Sequence, residues 1–291
     1  MTSDLRLALF TTLITGLASV NAYANTATMV FSSVDHPGTS VSTVDGNTCG
    51  SSGNPGTAAC YISPYTGTLG GSAVTLYCDD FNNDITIGST STVSVTDLVG
   101  GDTSNSSSET RFATANDAAS VTVADHGNAI VSMPTGTVLY EELAWLFTQL
   151  GEQAQAADPN TAIEDALQEA AWQMTTPSTK DNVPTAYSND VDDWIWLATQ
   201  DYTNTSNYSV TVGTGAGAYS LNIINPNYAD WMILDGSNSA LNAGETTGQQ
   251  EQLAYYGNNV PRVPEPSAFG LVGIGSLLLA GGILTRWRRR H

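Results

Sequence analysis

The sequence is poor in basic residues, and this scarcity excludes one class of partner. Between residues 25 and 263 the only basic side chains are Arg111, Lys180 and Arg262, whereas 26 residues there are acidic. Proteins bind nucleic acid through cationic patches that neutralise phosphates, so nucleic acid is excluded as a partner. We expect the acidic excess to keep the surface soluble, and diffuse binding of divalent cations is the alternative.

The sequence also lacks the common signatures of catalytic and metal sites. It contains no nucleophile elbow and no phosphate-binding loop. His36 and His126 stand alone without a second ligand nearby, which argues against zinc. The stretch "DDFNNDITIG" begins like a calcium loop at Asp80, but Ile85 occupies the position of its essential glycine. We therefore predict no metal, no cofactor and no enzymatic activity.

Two pairs of adjacent carboxylates leave a hydrolase open as an alternative. Glycoside hydrolases use two carboxylates that face each other across a cleft. Adjacent residues on a helix point in different directions, so we predict that each pair lies on a solvated face. The pairs are Glu141–Glu142 and Asp192–Asp193. The tryptophans are predicted to be core residues rather than a platform for sugars.

The N-terminus has the pattern of a secretory signal peptide. Arg6 precedes an apolar run from residue 7 to 17, and Ala22-Tyr23-Ala24 provides a small-x-small cleavage site. We predict that residues 1–24 are removed and that the mature chain starts near Asn25.

The C-terminus has the pattern of a membrane anchor. Residues 268–285 carry no charge, and as a helix they would reach about 27 Å, enough to cross a bilayer core. A core helix would show an amphipathic stripe, which this stretch lacks. Basic residues that follow a span stay on the cytoplasmic side, so the preceding chain lies outside the cell. These basic residues are Arg286, Arg288, Arg289 and Arg290.

The tripeptide Pro264-Glu265-Pro266 stands directly before this span. The order Pro-Glu-Pro, apolar span and arginine cluster resembles the PEP-CTERM sorting signal, here residues 261–291. The resemblance implies export by a Gram-negative bacterium and processing by a membrane enzyme of the exosortase type. It also implies that the protein is held in the membrane before it reaches the cell surface or an extracellular polysaccharide matrix.

The chain contains three cysteines, and an odd number leaves one unpaired in an oxidising compartment. Cys49 and Cys60 bracket the Gly- and Pro-containing loop "GSSGNPGTAA", so we predict a disulfide between them. Cys78 then remains a thiol, in the strand-like stretch "AVTLYCDDF".

The stretch between the two signals, residues 25–260, changes pattern twice. Strand-like segments with alternating apolar residues come first, helical periodicity follows near residues 138–203, and strand-like segments return. Residues 36–71 are predicted to be a loop. This order predicts an α+β, mainly β ectodomain, either a β-sandwich or an open barrel with an inserted helical block.

One pair of residues in this ectodomain suggests chemistry. Gln168 and Trp172 lie four residues apart in the helical stretch "ALQEAAWQM" and therefore share a face. That helix is apolar on more than one stripe, so Gln168 is predicted to be buried, where an amide needs partners. A thiol beside the carbonyl carbon of Gln168 could displace ammonia and form an internal thioester. The alternative is that Cys78 is an ordinary buried cysteine.

The motifs Tyr77-Cys78 and Gln168-Glu169-Ala170-Ala171-Trp172 resemble those of the thioester domains of bacterial surface adhesins. Leu167 stands where that family has threonine. The resemblance implies a β-rich fold with a helical subdomain, with Cys78 as thiol and Gln168 as acyl donor, which captures amines or other nucleophiles on a surface. We therefore predict an exported binding or adhesion protein. A structural surface protein without chemistry and a secreted polysaccharide hydrolase are the alternatives.

Overall fold

The computed structural model of the chain describes eleven stretches of sequence. They are residues 25–34, 40–41, 60–79, 86–99, 110–112, 119–124, 126–156, 160–176, 188–213, 218–236 and 251–257. The predicted signal peptide, the predicted sorting signal with its Pro-Glu-Pro motif, span and arginines, and Cys49 of the predicted disulfide lie outside them. Within these stretches no helix is both long and apolar enough to span a membrane.

The described residues form strands, then three helices, then strands again. In chain order the strands before the helices are β1 (Asn25–Val34), β2 (Ser40–Val41), β3 (Cys60–Tyr61), β4 (Tyr65–Leu69), β5 (Ser72–Cys78), β6 (Thr90–Asp97), β7 (Ser120–Val123) and β8 (Ala129–Ser132). The helices are α1 (Thr137–Ala154), α2 (Thr161–Thr175) and α3 (Ser188–Asp201). The strands after them are β9 (Tyr208–Val212), β10 (Tyr219–Ile223), β11 (Trp231–Gly236) and β12 (Gln252–Tyr255).

Six of these strands close into a barrel in the order β1-β4-β5-β12-β11-β6. Closure between β1 and the start of β6 is made by Phe31, whose N–H donates to the Ser89 carbonyl (3.1 Å) and whose carbonyl accepts from the Gly88 N–H (2.7 Å). The remaining described strands form three two-stranded sheets, β2-β3, β7-β8 and β9-β10. The barrel is thus assembled from both ends of the ectodomain, with the helices between them in sequence.

Alternation along the strands separates two hydrophobic clusters. Leu76 and Cys78 on β5 and Met232 on β11 belong to the interior cluster, to which all six barrel strands contribute. The residues between or beside them, such as Tyr77 and Ile233, belong instead to the helical cluster formed with α1, α2 and α3. Successive side chains of a strand point to opposite faces, so this wall of the barrel is buried on both sides. The helices cover its outer face.

The helices bury the faces that the sequence predicts. On α1 the predicted face of Leu139, Leu143, Leu146, Phe147 and Leu150 is fully buried, and so are Tyr140, Ala144 and Trp145. Helix α2 is capped by Asn160, whose side-chain oxygen accepts the Ala162 N–H (3.1 Å) and so satisfies one of the free donors of the first turn.

The predicted α+β, mainly β class is confirmed, and the helical block lies between strands as expected. The sequence predicted either a β-sandwich or an open barrel, and both are wrong, because the six strands form a closed barrel. Strand β4 lies within the stretch that was predicted to be a loop. Gly67 in the middle of β4 is a residue that strands disfavour, so the sequence pattern does not indicate a strand here. A side chain at this position would lie 2.6 Å from the Val30 carbonyl, so the pairing of β1 with β4 requires glycine.

Candidate functional site

Cys78 is the last residue of β5, and its side chain lies in the interior cluster. It is 1% exposed. Strand β5 pairs with β4 on one side and with β12 on the other, where Cys78 lies opposite Gln252. The thiol is therefore held by a strand that cannot shift without breaking two ladders.

Gln168 lies in the middle of α2 and is completely buried. Its neighbours on the helix, Leu167 and Ala170, pack in the helical cluster, whereas Trp172 packs in the interior cluster. Gln168 is thus at the seam between the two clusters. A buried amide at such a place must find hydrogen-bond partners, because leaving it unsatisfied costs about 1–3 kcal/mol.

Three residues form a closed ring of hydrogen bonds at this seam. The Gln168 side-chain NH₂ donates to the Cys78 carbonyl (2.8 Å). The Cys78 N–H donates to the Ser63 hydroxyl oxygen (2.8 Å), and the Ser63 N–H donates to the Gln168 side-chain oxygen (3.0 Å). We call this arrangement the Ser63–Cys78–Gln168 ring. It brings the two residues proposed from the sequence into direct contact and fixes both ends of the amide.

Helix α2 runs along the end of β5 and makes two further contacts there. The Trp172 indole N–H donates to the Cys78 sulfur at 3.4 Å. One turn further on, the Thr175 hydroxyl donates to the Asp79 carbonyl at 2.8 Å. Residues 168, 172 and 175 are spaced four and three apart and so share one helical face. That face contacts Cys78 and Asp79 at the end of β5.

Ser63 is the member of the ring that sequence reasoning missed. It lies between β3 and β4, in the predicted loop, and is 2% exposed. The sequence signal is weak: Pro64 follows it, which favours an extended conformation but indicates no partner. The next strand begins with Tyr65, whose phenol is buried in the interior cluster. Burial raises the pKa of Tyr65 well above its ordinary value, and the nearby Cys78 raises it further, so the phenol stays neutral.

The barrel end beside Cys78 also carries buried carboxyl groups. The carboxylate of Glu251, directly before β12, accepts hydrogen bonds from the Tyr140 hydroxyl (2.7 Å) and from the backbone N–H of Arg111 (2.7 Å). Burial raises the pKa of Glu251 well above its ordinary value, and nearby Asp79 and Asp235 raise it further. Arg111, the one lysine or arginine among the described residues, is itself only 2% exposed. This end of the barrel is therefore polar but closed to water.

Several acidic residues are buried rather than spread over the surface. They are Asp79, Glu142, Glu164, Glu169, Asp192, Asp193, Asp235 and Glu251. On α2, neither side-chain oxygen of Glu169 has a hydrogen-bond partner in the part of the chain that the structure describes. Burial raises the pKa of Glu169 to about 8, with a smaller contribution from Asp165. The predicted role of keeping the surface soluble therefore does not apply to these eight buried residues.

The predicted solvated face of Asp192 and Asp193 is corrected by the structure. Asp192 accepts the Ala124 N–H (2.6 Å), and Asp193 accepts the Gly213 N–H (2.6 Å) and pairs with His126 (2.8 Å). These carboxylates join α3 to the two hairpins β7-β8 and β9-β10. They are 8% and 9% exposed, because they bind backbone donors of the hairpins rather than water.

For the other predicted solvated pair the structure corrects only one member. Glu142 is 3% exposed, and burial raises its pKa to about 8, helped by Glu141, whereas Glu141 itself is half-buried. Four of the tryptophans are core residues as predicted, each at most 2% exposed: Trp145, Trp172, Trp194 and Trp231. Within the described stretches no group of three or more His, Cys, Asp or Glu could hold a metal ion. Cys60 is the first residue of β3, and its predicted partner Cys49 lies outside the described residues.

Comparison with protein-family models, with curated proteins and with solved structures finds no match to this chain.

Proposed function

We propose that this protein is an exported surface protein whose ectodomain forms an internal thioester between the Cys78 sulfur and the Gln168 side-chain carbonyl carbon. The bond would serve covalent attachment to an amine or another nucleophile on a surface or in an extracellular matrix. The observation that carries this proposal is the Ser63–Cys78–Gln168 ring, in which the Gln168 side-chain NH₂ donates to the backbone carbonyl of Cys78 and so lies beside that residue.

The bond would form by exchange of the thiol for ammonia. The Cys78 sulfur attacks the Gln168 carbonyl carbon, and a carbon–sulfur bond forms. The carbon–nitrogen bond of the amide then breaks, and the nitrogen leaves as ammonia with the proton of the thiol. The reaction requires a nucleophile held next to an acyl group, and a fixed arrangement of this kind contributes much of the rate.

Burial supports a lasting bond rather than rapid hydrolysis. Cys78 and Gln168 are 1% and 0% exposed, so water has no direct access to the acyl carbon. Because of the same burial, a large surface-bound nucleophile can reach the acyl carbon only when the seam opens locally. Small amines should enter more easily. A protein carrying such a bond would reach its destination unreacted and attach there.

The ends of the chain support the location. Export through the signal peptide at 1–24, followed by retention through the span at 268–285, would place the ectodomain outside the cell. The partners are then an exosortase-type processing enzyme and the membrane. The targets of covalent attachment would be extracellular polysaccharide or amines on a surface. Cell fractionation tests this part separately. A cytoplasmic product that keeps Met1 would contradict it.

Intact mass measurement tests the thioester. We expect the chain purified from the exporting host to be lighter by one ammonia than the mass calculated for its processed ends and the predicted Cys49–Cys60 disulfide. Methylamine should then raise the mass by adding to Gln168. Cys78→Ala should lose both effects. A wild-type mass equal to that calculated mass, in protein that is folded and has not met amines, would overturn the proposal.

A structural role without chemistry is the second candidate, and one observation favours it. The amide of Gln168 already has a partner for its oxygen and for its nitrogen, so the ring satisfies the residue as it stands. In this role Gln168 fastens α2 to the barrel, and the protein acts as an inert surface component. The two candidates differ in the mass of the wild-type chain.

A further inference from the structure

We infer that Trp172 is a catalytic residue of this site, whose indole N–H stabilises negative charge on the Cys78 sulfur when the thioester forms and when it is consumed. The inference rests on the proposed thioester. Its starting point is the contact of 3.4 Å between the Trp172 indole nitrogen and the Cys78 sulfur.

The donor and the acyl group are held by the same turn of helix. Gln168 and Trp172 are four residues apart on α2, so the helix fixes the distance between the amide carbon and the indole N–H. Trp172 is 2% exposed and packs within the interior cluster. Neither group can reorient without repacking that cluster. The indole is therefore aimed at the sulfur before any reaction begins.

The choice of acceptor favours a role in the reaction over one in packing alone. A neutral thiol sulfur is a weak acceptor, so a buried indole N–H gains little from it. A sulfur that carries negative charge is a much better acceptor, because hydrogen bonds to charged groups are about twice as strong. The contact therefore strengthens when electron density moves to the sulfur. The sulfur gains this charge when the thiol gives up its proton for the attack, and again when the carbon–sulfur bond breaks. A hydrogen bond that is stronger to the charged sulfur lowers the barrier relative to the neutral thiol in the first case and to the thioester in the second.

A second donor stands at the other end of the reacting group. The Ser63 N–H donates to the Gln168 side-chain oxygen at 3.0 Å, where negative charge collects when the sulfur attacks. Charge thus leaves the sulfur beside one donor and reaches the oxygen beside another. The hydroxyl of Ser63 accepts the Cys78 N–H and so holds this second donor in place.

The same two donors serve both directions of the chemistry. In bond formation the carbon–sulfur bond replaces the carbon–nitrogen bond, and the thiol proton leaves with ammonia. In attachment an amine attacks the Gln168 carbonyl carbon and the carbon–sulfur bond breaks. Its electron pair returns to the Cys78 sulfur beside the Trp172 N–H, and the proton released by the amine restores the thiol.

The test replaces the indole by a ring without a donor. In full-length Trp172→Phe we expect ammonia loss after refolding, and the reaction of methylamine with chains that carry the bond, to be about 10- to 100-fold slower than in wild type. Intact mass measured over time gives both rates. Trp145→Phe is the matched control, because Trp145 is also fully buried but donates to Asn225, away from the ring. It should keep both wild-type rates.

A second variant covers the case in which Trp172→Phe does not fold. Trp172→3-benzothienylalanine keeps the shape of the indole and replaces its N–H by sulfur, so it should show the same slowing. Rates within twofold of wild type in either folded variant, or equal slowing in Trp145→Phe, would overturn the inference and leave the thioester intact. A wild-type chain without the loss of ammonia would instead overturn the thioester itself.

Discussion

Replacing Cys78 by alanine separates a cross-linked ectodomain from one that is only hydrogen-bonded. The substitution removes a small buried side chain at the end of β5, and with it the acceptor of the Trp172 N–H. The backbone N–H and carbonyl of residue 78 remain, so the hydrogen bonds to Ser63 and Gln168 can persist. We therefore expect Cys78→Ala to fold, and the size of its destabilisation to reveal whether a covalent bond was present.

The loss of unfolding free energy in Cys78→Ala differs by several kcal/mol between a wild type with the thioester and one without it. Cys78 and Gln168 are 90 residues apart, and a cross-link over a loop of that size restricts the unfolded chain by about 4.5 kcal/mol in the entropy model used for disulfides. Loss of the thiol and of its contact with Trp172 adds about 1–2 kcal/mol. The free energy of unfolding should thus fall by about 6 kcal/mol if the bond is present and by about 1–2 kcal/mol if it is not.

Thermal unfolding of three samples measures this difference. They are wild type, Cys78→Ala and wild type opened with methylamine, which keeps the thiol but lacks the cross-link. For a unit of this size each kcal/mol lowers Tm by about 2–4 °C, so the cross-link alone is worth about 9–18 °C. The methylamine-treated protein should lose most of this stability and lie close to Cys78→Ala.

A wild type that shows the ammonia loss and yet keeps its Tm after methylamine has added would contradict the predicted stabilisation by the cross-link. So would a Cys78→Ala variant that melts within about 5 °C of a wild type that carries the bond. In either case the covalent bond would exist without restricting the unfolded chain in the expected way, and residual structure in that chain would be the cause.

Three further predictions concern other parts of the ectodomain. Because the pKa of Glu169 is raised to about 8 in the folded state, the fold holds a proton that the unfolded chain releases near pH 4.5. Stability should therefore decline as the pH rises from about 4.5 to 8, and urea unfolding should show a shallower decline in Glu169→Gln. A side chain at Gly151 would lie 2.5 Å from the Tyr77 hydroxyl oxygen, so Gly151→Ala should destabilise the protein by about 1–3 kcal/mol. Adding Tyr77→Phe should recover part of that loss, and no recovery would contradict the predicted clash. Peptide mapping without reduction should show Cys49 linked to Cys60, and a linkage of either one to the third cysteine would remove the thiol that the thioester needs.

The sequence carried enough local information to identify the helical block, strand β5 and two members of the site, but not the strands within residues 36–71. Strand alternation around Cys78 and the four-residue spacing of Gln168 and Trp172 are local properties, which depend on short stretches of chain. The odd number of cysteines singled out Cys78 as the thiol. These features indicated a strand and a helix that bear complementary groups, and the structure places the two groups in hydrogen-bond contact.

The remaining features depend on contacts between distant parts of the chain. Ser63 is 105 residues from Gln168, and no short-range pattern marks its N–H as the partner of the amide. Closure of the barrel depends on which strand edges meet, which alternation does not specify. The buried carboxylates Asp192 and Asp193 resemble surface residues in sequence because helical periodicity cannot show that hairpins from two other regions cover that face.

The position of the ring at the seam connects its chemistry with the stability of the fold. Trp172 belongs to the interior cluster, while Leu167 and Ala170 on the same helix belong to the helical cluster. A bond from Cys78 to Gln168 would therefore join the barrel to the helical block at the point where the two clusters meet. Exposing the acyl carbon to a large nucleophile requires separating the two clusters, which costs buried apolar area on both sides. The packing that would protect the proposed bond from water would thus also limit its use, so attachment to a surface should be slow in the undisturbed protein and faster wherever the seam is opened.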